Sequence, residues 1–433
     1  MAQDWDWAKG AGGSDYDVGF AIAVDGFGNS YITGTISGTV SFGTISVTSV
    51  GDSDIFVAKY DFYGNLLWVR SAGGKDSDEG LGIAVEPAGN VYVTGYFKGG
   101  VSFGDFALNS AGDDDIDMFI AKYDGNGNVL WVKGMGALDY DGGLCIAIDA
   151  ASNCYVTGYF KDSTVLGNSR LGSNGGSDIF VAKYDSSGNA LWAKNAGGNL
   201  DDQGSSIAAD AAGNCYVTGF YRGTATFSNI AIKSIGDKDV FLSKYDPDGK
   251  LLWVRSAGGF YSDWGNAVTV DNQGNSYITG HFKGSANFGN LKSISAGDKD
   301  IFIAKYDKAG NILWTKAAGG KDDYDEGNSI AVDTSGNVFV AGHFMGSATF
   351  GKINLASAGN SDLFVAKYDK LGNTLWAKSA GGSEYDGGRG IALDAAGNVY
   401  VTGYFRKSIA FGNNIRITLS GYEDIFLTKI KGQ

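Results

Sequence analysis

Short runs in which apolar and polar residues alternate with a period of two recur along the whole chain, as in Val91-Tyr92-Val93-Thr94-Gly95-Tyr96-Phe97. That period predicts β-strands. From 82 to 133 the pattern spells four of them, at 82–86, 91–97, 117–124 and 129–133, all antiparallel in sequence. The first and second strands, and the third and fourth, are joined by turns of the form acid-x-x-Gly-Asn, as at 25–29, 61–65, 185–189 and 394–398. Glycine there supplies the left-handed residue that closes a short hairpin. Alternation of chain direction puts all these turns on one rim. The long segment between the second and third strands, and the link between units, then fall on the opposite rim, where functional variation is expected.

The four-strand phrase returns with its tryptophan at Trp7, Trp68, Trp131, Trp192, Trp253, Trp314 and Trp376, separated by 61, 63, 61, 61, 61 and 62 residues. A fixed period of this kind marks one supersecondary unit copied in tandem, each burying its faces against its neighbours. Sheets apolar on both faces fit an all-β, seven-bladed β-propeller of four-stranded antiparallel blades. The chain opens on a fourth strand (5–9) and stops after a third (424–429), so the last blade is expected to be closed by the N-terminal strand. The blades fall at about 14–74, 75–137, 138–198, 199–259, 260–320, 321–382 and 383–433 with 1–13, as a single domain. Ala23, Ala84, Ala147, Ala208, Ala331 and Ala392, with Thr269 at the equivalent place, are small enough for a crowded axis.

Composition narrows the function classes. A net charge of −14 argues against nucleic acid, whose binding draws on clustered Lys and Arg. No apolar run is long enough to insert in a membrane, and no leader pattern is present. The three cysteines, Cys145, Cys154 and Cys215, read as buried free thiols.

Phrases such as Asp-Ile-Phe-Val-Ala-Lys-Tyr-Asp (54–61 and 178–185) followed by Gly-Asn-x-Leu-Trp, and Gly-Asn-Val-Tyr-Val-Thr-Gly (89–95 and 397–403), resemble the bacterial seven-bladed β-propeller repeat family, SBBP. The resemblance implies the fold and a secreted or cell-surface bacterial protein. It brings no catalytic residues.

Two sets of aspartates recur once per unit on the variable rim. Asp17, Asp78, Asp141, Asp202, Asp263, Asp325 and Asp386 stand in the links between blades, and Asp54, Asp117, Asp178, Asp239, Asp300, Asp362 and Asp424 open the third strands. The link set either caps backbone N–H groups or contributes to calcium sites, although no EF-hand spacing is present. Asp113 and Asp115, in a denser acidic run, are a further calcium candidate. Lysines such as Lys59, Lys122 and Lys183, with the basic residue two after each tryptophan, are expected to pair with acids such as Asp25, Asp61 and Asp149.

Tyr96, Tyr159, Phe220, His281, His343 and Tyr404 end the second strands and point toward the variable rim. Exposed aromatic faces beside acids and amides stack on sugar rings, so these residues are candidates for a glycan platform. The alternative is that they cover a small β extension marked by Phe103-Gly104, Phe288-Gly289 and Phe350-Gly351. No nucleophile-base arrangement or metal-protease or phosphate-loop motif is visible. The sequence therefore points to a non-enzymatic, monomeric binding module meeting glycan or protein through its loop rim, with no cofactor unless calcium. A purely structural spacer and a carboxylate-dependent glycan hydrolase are the alternatives.

Overall fold

The computed structural model describes residues 4–112, 115–321, 324–412, 414–419 and 421–432. The chain is an all-β propeller; among the described residues there is no helix. The repeating unit is the four-stranded antiparallel sheet read from the sequence, as in Glu79–Val85, Val91–Lys98, Ile116–Tyr123 and Val129–Met135. Strand Trp5–Ala11 pairs antiparallel with Asp424–Ile430, in the sheet that also holds Val399–Phe405 and Gly387–Leu393.

The hairpin turns take the expected form. In the 25–29 turn, Gly28 N–H donates to the Asp25 carbonyl, Asp25 N–H to the Asn29 carbonyl, and Gly28 has φ +81°. The Asp25 carboxylate accepts from the backbone of Phe27 and Asn29 as well.

Between the second and third strands a small hairpin extends each sheet, as at Gly100–Phe103 with Phe106–Asn109. It reaches the outermost strand of the preceding unit, where Val101 pairs with Gly74 and Ser102 with Gly73. The same stitch joins Ala257 to Phe288 and Ala196 to Phe227. Phe103 and Phe288 are buried against Phe119 and Phe302, which anchors the extension on the sheet it leaves.

The cores lie between adjacent sheets rather than inside each one. Ala23, Ala84, Ala147, Ala208, Ala331 and Ala392 all belong to these inter-sheet clusters, on first strands that pack against one another. The residues facing inward are different. Each first strand carries a β-bulge, between Gly19 and Ala21, Gly80 and Gly82, Gly143 and Cys145, Gly204 and Ser206, Gly265 and Ala267, Gly327 and Ser329, and Gly388 and Gly390. A bulge re-aims the extra side chain. Here it turns Phe20, Leu81, Leu144, Ser205, Asn266, Asn328 and Arg389 into one shared cavity.

Neighbouring units are latched by polar bonds that the sequence analysis assigned differently. The indole N–H of Trp68 donates to the Gly125 carbonyl in the next unit's outer turn, and Arg70 donates to the Gly127 and Asn126 carbonyls of that turn. Outer-strand arginines thus bind carbonyls rather than acids. The third-strand lysines do meet acids in part: Lys122 lies 3.0 Å from Glu86 and Lys183 3.7 Å from Asp149. Each also sits over an aromatic ring, Tyr92 or Tyr155. All three cysteines are free, Cys154 and Cys215 buried and Cys145 partly so.

Candidate functional site

The link aspartates are fully engaged. In Asp78 one carboxylate oxygen accepts from Gly74 N–H and the other from Lys98 N–H, tying the link to the end of the second strand. Asp17, Asp141, Asp202, Asp263, Asp325 and Asp386 make the same two bonds in their own units. All seven are at most 1% exposed. Burial pushes Asp78, Asp141, Asp202, Asp263 and Asp386 up to about 7 and Asp17 to about 6, despite those bonds. A calcium ion asks for six to eight converging oxygens. Carboxylates already committed to backbone donors, with the proton favoured, suit the capping role instead. Among the described residues no group of three His, Cys, Asp or Glu side chains could hold a metal ion. Asp115 precedes a third strand with one oxygen buried and unpartnered. Its companion Asp113 lies outside the described residues.

The second-strand aromatics do not form a row of exposed platforms. Phe220 and His281 are each 4% exposed, and Tyr96, Tyr159, His343 and Tyr404 are partly buried. Tyr159 and Tyr404 lie over Gly142 and Gly387, where a Cβ would meet the ring. Tyr96 hydrogen-bonds Glu79, whose carboxyl is raised by burial.

What the fold does build is a cavity of about 790 Å³ toward the loop rim, lined by the inward-facing bulge residues. In chain order the bulge residues lining it run apolar at Phe20, Leu81 and Leu144, then polar at Ser205, Asn266, Asn328 and Arg389. The lip on the polar side is aromatic and basic. Lys238 Nζ lies 4.2 Å from the Phe220 ring centre and 4.3 Å from that of Trp264, and these two rings are 4.3 Å apart. Trp264 stacks in turn on His281. Lys299 Nζ lies 3.8 Å from the Tyr324 ring centre and donates to its hydroxyl at 2.6 Å, and Tyr324 stacks on His343. Cations over aromatic faces gain from the ring quadrupole while keeping the charge at the surface.

The polar groups beneath are tightly coupled. His281 Nδ1 sits 3.0 Å from Glu326 Oε1, close enough for an ion pair though not aligned as a good hydrogen bond. Burial opposes ionisation of Glu326, but His281, His343 and Arg389 outweigh it and hold its carboxyl down at about 2. His343 is driven the other way: burial, with Arg389, His281 and Lys299 nearby, lowers it to about 4, so the ring is neutral at pH 7. Its Nδ1 lies 3.4 Å from Asn328 Nδ2, the donor that an unprotonated nitrogen can accept. Asn328 also donates to the Gly388 carbonyl, and Asn266 to that of Gly327. Arg389 faces the Tyr404 ring and leaves its Nε buried without an acceptor.

Of the six residues proposed from sequence, Phe220, His281 and His343 meet in this site and Tyr404 supports it through Arg389. Sequence reasoning missed Trp264, Lys238, Lys299, Tyr324, Glu326 and Arg389. A signal was present. The residue three after each link aspartate reads Phe, Leu, Leu, Ser, Asn, Asn, Arg while its flanks repeat, and Trp264 and Glu326 stand one after theirs.

Comparisons with known proteins agree on the architecture. The WD40 β-propeller domain of Doa1 superposes with a TM-score of 0.51 at 10% identity, covering all of this chain and 98% of that one. A chain of the mitotic checkpoint complex gives 0.50 at 9% identity, with 100% and 96% covered. An uncharacterised WD repeat-containing protein of Acanthamoeba polyphaga mimivirus is 24% identical over 93% of this chain and 36% of its own length. Regulatory protein FlaEY of Caulobacter vibrioides is 31% identical over 37% of this chain and 18% of its own. The chain thus spans well under half the length of either relative. The β-propeller repeat model SBBP matches four repeats of the chain, at residues 6–40, 253–281, 313–343 and 375–404.

Proposed function

We propose that this protein is a non-enzymatic binding module: a closed ring of seven blades whose loop rim engages a partner protein at the mouth of the central cavity. Closure is supported by two relationships. The first strand of the first unit, Val18–Val24, packs against both Glu79–Val85 and Gly387–Leu393, and Trp5–Ala11 completes the sheet of Asp424–Ile430.

The observation that carries the binding role is a break in symmetry. The turn rim repeats nearly the same bonds in every unit, whereas on the loop rim adjacent units contribute unlike side chains to one cavity. Scaffolding needs no such departure. The non-enzymatic reading is supported by the state of the ionisable groups: Glu326, held near 2, is a poor proton donor at neutral pH, and His343 is engaged with Asn328.

Probing the whole chain against peptide and glycan arrays tests this. Binding to peptides that is lost in Trp264→Ala and Tyr324→Ala, both folded, is the expected result. Silence on both arrays returns the chain to a structural spacer. Binding to glycans alone makes it a lectin.

A further inference from the structure

We infer that the cavity mouth recognises a carboxylate side chain flanked by an apolar residue in an extended segment of the partner; this rests on the binding role proposed above and names the chemistry of its ligand. The chain as a whole carries a net charge of −14, yet this cavity is lined by Lys238, Lys283, Lys299 and Arg389. The acids on its wall are already committed. Glu326 is in contact with His281, and Asp237 lies 2.7 Å from Arg222 and accepts from the Ser262 hydroxyl at 2.8 Å. Lys283 is paired with Asp298. Lys238, Lys299 and Arg389 face the opening without an ion pair among the described residues, set against aromatic rings and the Tyr324 hydroxyl. The acids that act on Lys238 and Arg389 from nearby are Asp237, Asp201 and the committed Glu326.

Two further observations point to an anion deeper in. His281 is 4% exposed and, among the described residues, neither its Nε2 nor Arg389 Nε has a hydrogen-bond partner. A buried donor left unmade costs about 1–3 kcal/mol, and more when charged. A fold keeps such groups where something else completes them. An incoming carboxylate accepts from the guanidinium in a fork that matches its two oxygens.

The opposite arc decides what the carboxylate is attached to. Phe20, Leu81 and Leu144 present an apolar surface to the same cavity, across from Arg389 and the two asparagines. A bare inorganic anion gains nothing there. An acidic side chain beside a leucine or phenylalanine fills both halves, and Trp264 and Tyr324 flank the entering backbone.

The test uses the intact chain and acetylated, amidated heptapeptides with a central Asp-Leu or Glu-Phe pair, alongside counterparts with Asn-Leu or Gln-Phe, 3-phenylpropionate and inorganic phosphate. The acidic peptides should bind at least tenfold more tightly than their amide counterparts, weakening as salt is raised. Arg389→Gln and Lys299→Gln should each lose fivefold or more without a change in melting temperature; Lys299 is on the surface, so its variant stays informative if the Arg389 variant misfolds. Equal binding of acid and amide peptides, lost in Trp264→Ala, would overturn the carboxylate assignment and leave the binding module standing. Binding of phenylpropionate as tight as that of the peptides, or of phosphate alone, would overturn the polypeptide ligand. No binding by any probe would sink both readings.

Discussion

The indole N–H of Trp253 donates to the carbonyl of Lys308 at 3.2 Å, across the gap between one sheet and the outer turn of the next. Trp7, Trp131, Trp192 and Trp314 reach Phe62, Ser186, Pro247 and Lys370 in the same way. Trp376 is as buried as Trp253 but its Nε1 has no acceptor among the described residues. Replacing Trp253 by Phe should therefore cost about 0.5–1.5 kcal/mol more than the same change at Trp376, the worth of one hydrogen bond. Urea denaturation of the two variants measures the difference.

The missing acceptor has a simple origin. The turn that would face Trp376 lies where Lys431 N–H meets the Asp4 carbonyl at 3.2 Å, two separate chain segments instead of a hairpin. Joining Ile430 to Trp5 through Asp-Lys-Ala-Gly-Asn, with new termini opened in the exposed 104–105 loop, should supply that carbonyl. The permuted chain is expected to melt higher than a control permuted through a Gly-Ser joint of equal length.

Burial raises the recurrent aspartates well above their unfolded value of 3.8; Asp178, Asp202 and Asp424 reach about 7 and Asp117 and Asp239 about 6. The folded chain then binds more protons than the unfolded one between roughly pH 4 and 7, so stability rises as pH falls through that window and is lowest above it. Aspartates lowered by their turn bonds, such as Asp61 and Asp185, act oppositely but only below the window. The melting temperature should be higher at pH 5 than at pH 8. Among the described residues Asp178 Oδ1 is buried without a partner, so Asp178→Asn should stabilise at pH 8 by at least about 1 kcal/mol and flatten the profile. A flat wild-type profile would refute the account.

Gly158 has no room for a side chain: a Cβ there would overlap the Gly142 carbonyl and press on the Phe180 ring. Gly158→Ala should cost more than about 3 kcal/mol or abolish folding, because the obstacle is backbone. Gly104, at φ +60° with nothing within 4 Å of a built Cβ, should tolerate alanine for about 1 kcal/mol of backbone strain. Circular dichroism melts of the two distinguish steric from conformational demand.

The strands and turns were legible because their signals are local: a period of two, a turn glycine, a recurring tryptophan. The capping role of Asp78 was legible as one of two readings, since its donors Gly74 and Lys98 lie within 20 residues. The site was not. Asn266, Asn328 and Arg389 come from separate units and meet only because a bulge in each first strand turns one side chain inward, and no local period reports a bulge. The aromatic residues misled for a related reason: alternation places Phe220 and His281 at the rim but says nothing of Trp264 and Lys238 closing over them.

Thr428 Oγ1 donates to the Trp7 carbonyl across 421 residues of sequence. The two strands it joins cannot meet until every intervening sheet is stacked, so the slowest step of folding should be their docking, and before it the 424–430 strand presents an unpaired flank. A second nascent molecule carries the same complementary strand. At high concentration, exchange of the N-terminal strand between molecules competes with self-completion, and the product is a strand-swapped dimer whose yield grows with the concentration at which the chain is refolded.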